Sequence, residues 1–233
     1  MVYYFKANVT SQNEYDDFAL DTASSEHIIY MGRDKIENDP LIHKSHPKNL
    51  WFHVDKHSSA HLYLQLSHEQ QSTKFEDLQL DENLLQQIAQ LTKANSIKAN
   101  KLNNITIIYT PVDNLRSDGL MDTGTVTFVN PQKIKRVHVA KKENSIVNKL
   151  NRTKTEISTE QFVKEQEEVL REWQRKQKEE LRKAEQRAKE EAKLHQQQKQ
   201  FNKDPYADMF TEENLRGSSN EFRNENWVEE EFW

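Results

Sequence analysis

Up to about Val139 the chain alternates short apolar, β-branched or aromatic runs with polar turns. Val2–Val9, His27–Met31, Leu50–Val54, Ala60–Leu66, Ile105–Tyr109, Thr125–Val129 and Val137–Ala140 read as strands, because such side chains pack well on a pleated surface. The polar Asp55–Ser59 turn joins the third run to the fourth. Two stretches predict helices instead. Leu84, Leu85, Ile88 and Leu91 repeat at i, i+3/i+4 and i+7 behind Asp81 as N-cap, which predicts an amphipathic helix. Asp34 caps a second helix reaching Lys44, which Pro40 shortens, bends or delays to Asp39. Many strands with few helices between them predict an α+β fold with a largely antiparallel sheet. No internal repeat is present.

Between Pro131 and Pro205 there is neither glycine nor proline, so nothing there forces a helix to stop. Glu160 to Gln200 holds ten acidic residues and eleven Lys/Arg, with Glu172–Lys176, Glu179–Lys183 and Glu185–Lys189 in the favourable i, i+4 orientation. A helix over 158–200 would be about 60 Å long. Its heptad is weak, because Gln177 and Glu191 interrupt the seam of Val163, Leu170 and Ala184. A tight coiled coil keeps its a and d positions apolar. The pattern therefore favours a solvated helix or one that docks on a protein partner, with self-association as the alternative. Residues 201–233 are acidic, with scattered aromatics such as Tyr206, Phe222 and Trp227, and predict a disordered tail. Such a tail either docks on a partner or competes for a basic surface of its own chain. Three zones result: a folded domain at 1–155, a charged helix or coiled coil at 158–200, and a disordered acidic tail at 201–233.

Composition narrows the class. With no cysteine among 233 residues, disulfides, cysteine–zinc sites and a cysteine nucleophile are excluded. Apolar residues are 34% and charged residues 30%, against roughly 45–50% and about 25% for a globular chain, so only part of this one builds a core. No apolar run is long enough to predict a spanning helix, and the first residues lack the pattern of a signal peptide. A cytoplasmic setting, or a nuclear one, is expected. The net charge of −5 conceals an asymmetry. Lys133 to Lys154 has eight basic residues and one acid, whereas Asp204 to Trp233 has nine acids and two arginines. Lys141, Lys142, Lys149 and Arg152 thus give an electrostatic footprint for a polyanion, or else the solvated entry to a helix.

Six of the nine histidines, from His43 to His68, fall within 26 residues. His57 and His61 have helical ligand spacing but lie in a strand–turn–strand segment, and only Asp55 and Glu69 are acidic neighbours. A closed zinc site lacks completion there, so neither metal nor cofactor is assigned. The period of two on Leu50–Val54 puts Trp51 and His53 on one face and Leu50, Phe52 and Val54 on the other. The second set is expected in the core. The first leads into Asp55, Lys56, Ser58 and Ser59, then His61 and Tyr63 on the return strand. An aromatic plane beside imidazoles, a cation and hydroxyls suits stacking on unpaired bases and holding phosphate or ribose. Equally, a plain hairpin could use His53 and Asp55 to satisfy buried polar groups.

Four segments carry a family likeness: Ile29-Tyr-Met-Gly-Arg-Asp-Lys-Ile-Glu-Asn-Asp-Pro-Leu-Ile, Leu50-Trp-Phe-His-Val-Asp-Lys-His-Ser-Ser-Ala-His-Leu-Tyr-Leu, Lys93-Ala-Asn-Ser-Ile-Lys and Ile107-Ile-Tyr-Thr-Pro. In this order they resemble the NFACT-R (DUF814) domain. With Val147-Asn-Lys-Leu-Asn-Arg-Thr-Lys and the charged helix behind them, the form is that of the coiled-coil domain-containing protein 25 family. The likeness covers about residues 1–155. It departs from the family pattern at Asn49, where Asp is usual, and in the Asp113 and Asp118 that flank Arg116 in a turn usually rich in lysine. The resemblance implies a nucleic-acid-binding domain, which in larger relatives is one part of a factor engaging tRNA and the large ribosomal subunit. By position it marks Gly32, Arg33, Asn38, Trp51, His53 and Asp55, then Lys56, Ser58, Ser59 and His61, as the functional surface.

Three function classes follow. The first is a binding factor for RNA, tRNA or rRNA, on ribosomes or large subunits, with DNA as a further ligand class. The second is a hydrolase or nuclease acting on peptidyl-tRNA or the tRNA 3′ end. There His53 or His61 would be general base, Asp55 would orient it, and Lys56 would stabilise negative charge. The third is a scaffold that assembles a protein partner through residues 158–233.

Overall fold

From edge to edge the central sheet runs Lys135–Val139, Ile105–Pro111, Leu50–Val54, Leu62–Leu64, Ser25–Gly32, Val2–Val9 and Thr155–Ile157, with every neighbouring pair antiparallel. The computed structural model describes residues 1–9, 25–117 and 124–203. Asp118, Gly119 and residues 204–233 of the tail expected over 201–233 lie outside the described residues, whereas 201–203 continue the long C-terminal helix. The strands are β1 (Val2–Val9), β2 (Ser25–Gly32), β3 (Leu50–Val54), β4 (Leu62–Leu64), β5 (Ile105–Pro111), β8 (Lys135–Val139) and β9 (Thr155–Ile157). A separate two-stranded ribbon pairs β6 (Leu115–Arg116) with β7 (Thr127–Phe128). The helices are α1 (Lys35–Lys44), α2 (His68–Ser72), α3 (Glu82–Ala94), α4 (Asn144–Arg152) and α5 (Thr159–Lys203). No helix among the described residues is long and apolar enough to cross a membrane.

Local signals explain most of these boundaries. The Asp34 carboxylate accepts from the amides of Ile36 and Glu37, and Asp81 does the same for Asn83 and Leu84. Each satisfies donors that a helix start leaves unpaired. Pro40 sits inside α1 without ending it, at the cost of one helical hydrogen bond. Three further elements are not among those expected from sequence. They are the short α2 with its Ser67–Gln70 capping box, β9, and α4 within the basic stretch. The expected strand over Thr125–Val129 is confined to two residues, off the main sheet.

Both faces of the sheet are covered. On one, Phe5, Ile29, Leu50, Phe52 and Leu64 pack with Leu84, Ile88 and Leu91 of α3 and Leu150 of α4. On the other, Tyr30, Tyr63, Trp51 and Ile108 pack with Leu41 of α1 and Phe162 of α5. Register produces the second row directly, since Tyr4 opposes Tyr30, Tyr30 opposes Tyr63, and Tyr63 opposes Trp51. The Tyr30 and Tyr63 rings stack at 5.0 Å. Asn49 lies under this layer, donating to the Tyr30 hydroxyl at 3.0 Å and accepting from the Leu66 amide at 3.3 Å. An amide both donates and accepts there, which an aspartate carboxylate cannot do.

The first compact unit runs from Met1 to Glu172, past the residue 155 at which sequence ends the domain. The reason is physical: β9 pairs with β1, Phe162 is fully buried, and Lys44 of α1 binds Glu167 at 2.9 Å. The second unit begins at Trp173, and its described part is helix to Lys203 with its long apolar side chains Leu181 and Leu194 exposed. Of the three expected ion pairs along the helix, Glu179–Lys183 closes at 2.7 Å.

Candidate functional site

A cavity of about 770 Å³ opens where the C-terminal end of β2, the start of α1, the β3–β4 turn, the loop after α3 and the segment leading into β7 meet. Gly32 allows the closest of these approaches. A Cβ there would stand 2.6 Å from Asn38 Oδ1 and 3.2 Å from its amide nitrogen, so a side chain would displace the Asn38 carboxamide and press on the α1 backbone. Gly124 has φ +72°, a left-handed backbone that favours glycine, and its own Cβ would crowd the Lys35 carbonyl at 3.0 Å. Lys56 adopts φ 61° in the β3–β4 turn, a rare conformation for a residue with a side chain. Strain of this kind persists where the surroundings impose it, often at binding sites.

The cavity gathers every residue that the resemblance marked. Gly32, Arg33 and Asn38 come from the β2–α1 junction, Trp51 and His53 from β3, and Asp55, Lys56, Ser58, Ser59 and His61 from the turn. Sequence reading did not nominate Lys35, Asn95, Ile97 and Val126, which also line it. Lys35 and the pair Asn95 and Ile97 lie inside segments that carry the family likeness, Val126 lies outside them, and only the convergence of these three segments is absent from the sequence pattern. Arg136 is a further omission with a recoverable signal. His53 opposes Ile108 and Ile108 opposes Arg136, so strand register sets this exposed arginine on the face that carries His53.

Trp51 requires a correction. The period of two places it opposite Phe52 and Val54, as expected, but it is only 1% exposed and forms part of the second core layer. Its ring stacks on His53 at 5.3 Å and meets His61 and Phe128 edge-on at 5.2 and 5.8 Å. It is a cavity wall and not an open platform, because Phe128 of β7 and the core layer that includes Leu41 and Phe162 cover a face that sequence left to solvent. Ser59 is also partly structural, its hydroxyl accepting from the Val54 amide at 3.1 Å and donating to the Ala60 carbonyl. Ser58 contributes its carbonyl to the Ser96 hydroxyl at 2.6 Å, tying the turn to the loop after α3.

The imidazoles are held neutral. Burial, then the neighbouring His53, pushes His61 down to about 3. Burial also lowers His53, opposed by a backbone hydrogen bond at Val54 and by the Asp55 charge. Asp55 thus reaches His53 as a charge, and among the described residues no hydrogen bond joins its carboxylate to either ring. His61 is consequently a weak proton acceptor at neutral pH. Among the described residues no three metal-ligating side chains come together.

Acid should destabilise the domain through these rings. His46, lowered to about 4 by burial and Lys48, behaves like His61. The unfolded chain takes up a proton near 6.5 that the folded chain refuses until about 4 or about 3. Stability therefore rises with pH across that window, at most by about 1.4 kcal/mol per unit for each ring. Chemical denaturation at pH 7.5 and pH 5 measures it. Equal stabilities at the two values would refute the assignment.

The basic stretch divides. Lys135 donates to the carbonyls of Phe75, Glu76 and Leu78 at 2.9–3.3 Å, and Lys154 lies 3.5 Å over the Tyr3 ring while pairing with Glu156. Lys133 faces Glu76 at 3.9 Å. Lys141, Lys142, Lys149 and Arg152 make no ion pair among the described residues and remain available to a polyanion. Lys149 and Arg152 belong to α4, in the α3 layer, across the sheet from Trp51 and His53. The structure does not bring this strip and the cavity together.

A family model described as "NFACT protein RNA binding domain" matches residues 1–130. Coiled-coil domain-containing protein 25 of Mus musculus is 42% identical over 156 residues, which is 67% of each chain. A homolog of that protein in Dictyostelium discoideum is 38% identical over 129 residues, 55% of this chain and 60% of its own. Protein JLP2 of Saccharomyces cerevisiae is 33% identical over 159 residues, 67% of this chain and 69% of its own.

Proposed function

This chain belongs to the NFACT-R family and has a nucleic-acid-binding role, and on that premise we propose that it holds tRNA or ribosomal RNA on ribosomes or large-subunit intermediates in the cytoplasm. One observation carries the choice of surface: Arg33 and Lys35 from the β2–α1 junction and Lys56 from the β3–β4 turn, all exposed, line a single cavity. The cations of the α4 layer add sequence-independent attraction for phosphate from the other side of the sheet. The exposed α5 beyond Trp173 serves a protein partner.

Two measurements test this reading. Crosslinking the full chain in cells and sequencing what it holds should recover tRNA or rRNA fragments, and recovery of neither would overturn the assignment. Replacing Lys141, Lys142 and Lys149 by Glu should weaken RNA binding across sequences. The slope of log K against log salt should become shallower by about 3 if each lysine releases one counterion. An unchanged slope would remove the strip from the interface.

A further inference from the structure

We propose that the cavity takes one unpaired nucleotide of the bound strand, its base inserted edge-first and its phosphates left at the rim. This rests on the nucleic-acid reading above and specifies what enters the site. Three polar atoms in cavity-lining residues carry the argument. Asn38 Oδ1, Trp51 Nε1 and His61 Nδ1 are buried with no hydrogen-bond partner. Their residues are 7%, 1% and 5% exposed. Buried polar atoms are normally satisfied, and these three orphans, closed off from solvent in residues that line one cavity, would be satisfied by an occupant toward which their side chains turn.

Their chemistry selects that occupant. The indole N–H only donates, the Asn38 oxygen only accepts, and a neutral imidazole nitrogen does either according to its tautomer. A phosphate offers acceptors alone and would leave Asn38 facing a like partial charge. A nucleobase edge presents donors and acceptors side by side. The cations stand outside this neutral set, at Arg33, Lys35 and Lys56, where a sugar–phosphate backbone would run. Ile97, 90% exposed at the cavity, offers an apolar flank for the face of the base. The volume lies within the roughly 300–1,000 Å³ of small-ligand clefts. A base in a duplex has its edge occupied and its faces stacked, so only a single-stranded, bulged or mismatched one enters cheaply.

The test uses the full chain and labelled hairpins that are fully paired, carry a one-nucleotide bulge, or carry an abasic residue at the bulge. The bulged base should bind about tenfold tighter than its abasic counterpart, on the scale of one or two net hydrogen bonds. Asn38→Ala should shrink that tenfold difference toward unity, whatever it does to the affinity common to both hairpins. A second readout does not depend on this variant folding. The indole N–H resonance of Trp51, assigned by its loss in Trp51→Phe, should shift with nucleoside monophosphates and not with inorganic phosphate. Equal binding of bulged and abasic hairpins, with both weakened by Arg33→Glu and Lys56→Glu, would overturn base capture and leave the nucleic-acid site standing. An indole shift with phosphate alone would also overturn it. If no hairpin bound at all, the nucleic-acid reading itself would fall. A preference for the bulged base in RNA or DNA hairpins supports the proposal, and comparing the two identifies the sugar accepted.

Discussion

Trp51→Ala is expected to lower folding stability by about 3–5 kcal/mol, the range for truncating a large buried aromatic. The indole is 1% exposed and stacks on His53, with Phe128 and His61 at its edges. It opposes Tyr63 and Thr110 across the sheet, beneath a layer that includes Leu41 and Phe162. Phe52→Ala should cost a similar amount from the opposite core, where the ring is fully buried and stacked on Tyr109 at 5.1 Å. Both variants should therefore show lower midpoints in urea at pH 7.5. A reading of the strand from period alone expects the pair to split, with Trp51→Ala losing nucleic-acid affinity at nearly unchanged stability. If the melting curves split that way, the second core layer described for Trp51 does not exist in solution.

Phe162→Ala is expected to destabilise the first unit by a similar amount, about 3–5 kcal/mol, although it sits in a helix that sequence assigns to a separate zone. The ring has no exposed surface and tilts against Tyr30 at 5.3 Å. Around it, Thr159 donates to Glu37 and Lys44 pairs with Glu167, so the first turns of α5 are fastened to α1. A chain ended at residue 155 loses Phe162 and most of β9 together, leaving β1 with a bare edge and Tyr30 without its cover. Ending the chain at residue 172 keeps both. Urea denaturation of the full chain, Phe162→Ala and the two shortened chains should rank the 172 chain near the full one and the 155 chain far below. Equal midpoints for the two shortened chains would show that α5 contributes nothing to the fold.

The strands β1, β2, β3 and β5 were legible because branched and aromatic runs between polar turns have few other uses. The starts of α1 and α3 were legible because a capping aspartate acts on amides two and three residues away. Such signals are local, and a single sequence records them in order. The residues of the cavity were also nameable, since most lie in two short segments, Gly32–Asn38 and Trp51–His61, that carry the family likeness. The split of Trp51 and His53 from Phe52 and Val54 followed from the period of two alone.

Period, however, says which residues share a face and nothing about what covers it. Only the tertiary structure decided that α5 closes over the face that carries Trp51, because Phe162 meets Tyr30 and Glu167 meets Lys44 from more than a hundred positions away. The same holds for the basic stretch. Lys135 and Lys154 look like their neighbours in sequence, yet the first is anchored to three carbonyls about sixty residues away and the second lies over Tyr3. Lys149 and Arg152 make no ion pair among the described residues and lie on a helix in the opposite layer. Charge and period are properties of the chain and could be read from it. Burial and partnership depend on which distant segments meet, and for this protein they determined which aromatic is core and which cations remain for a ligand.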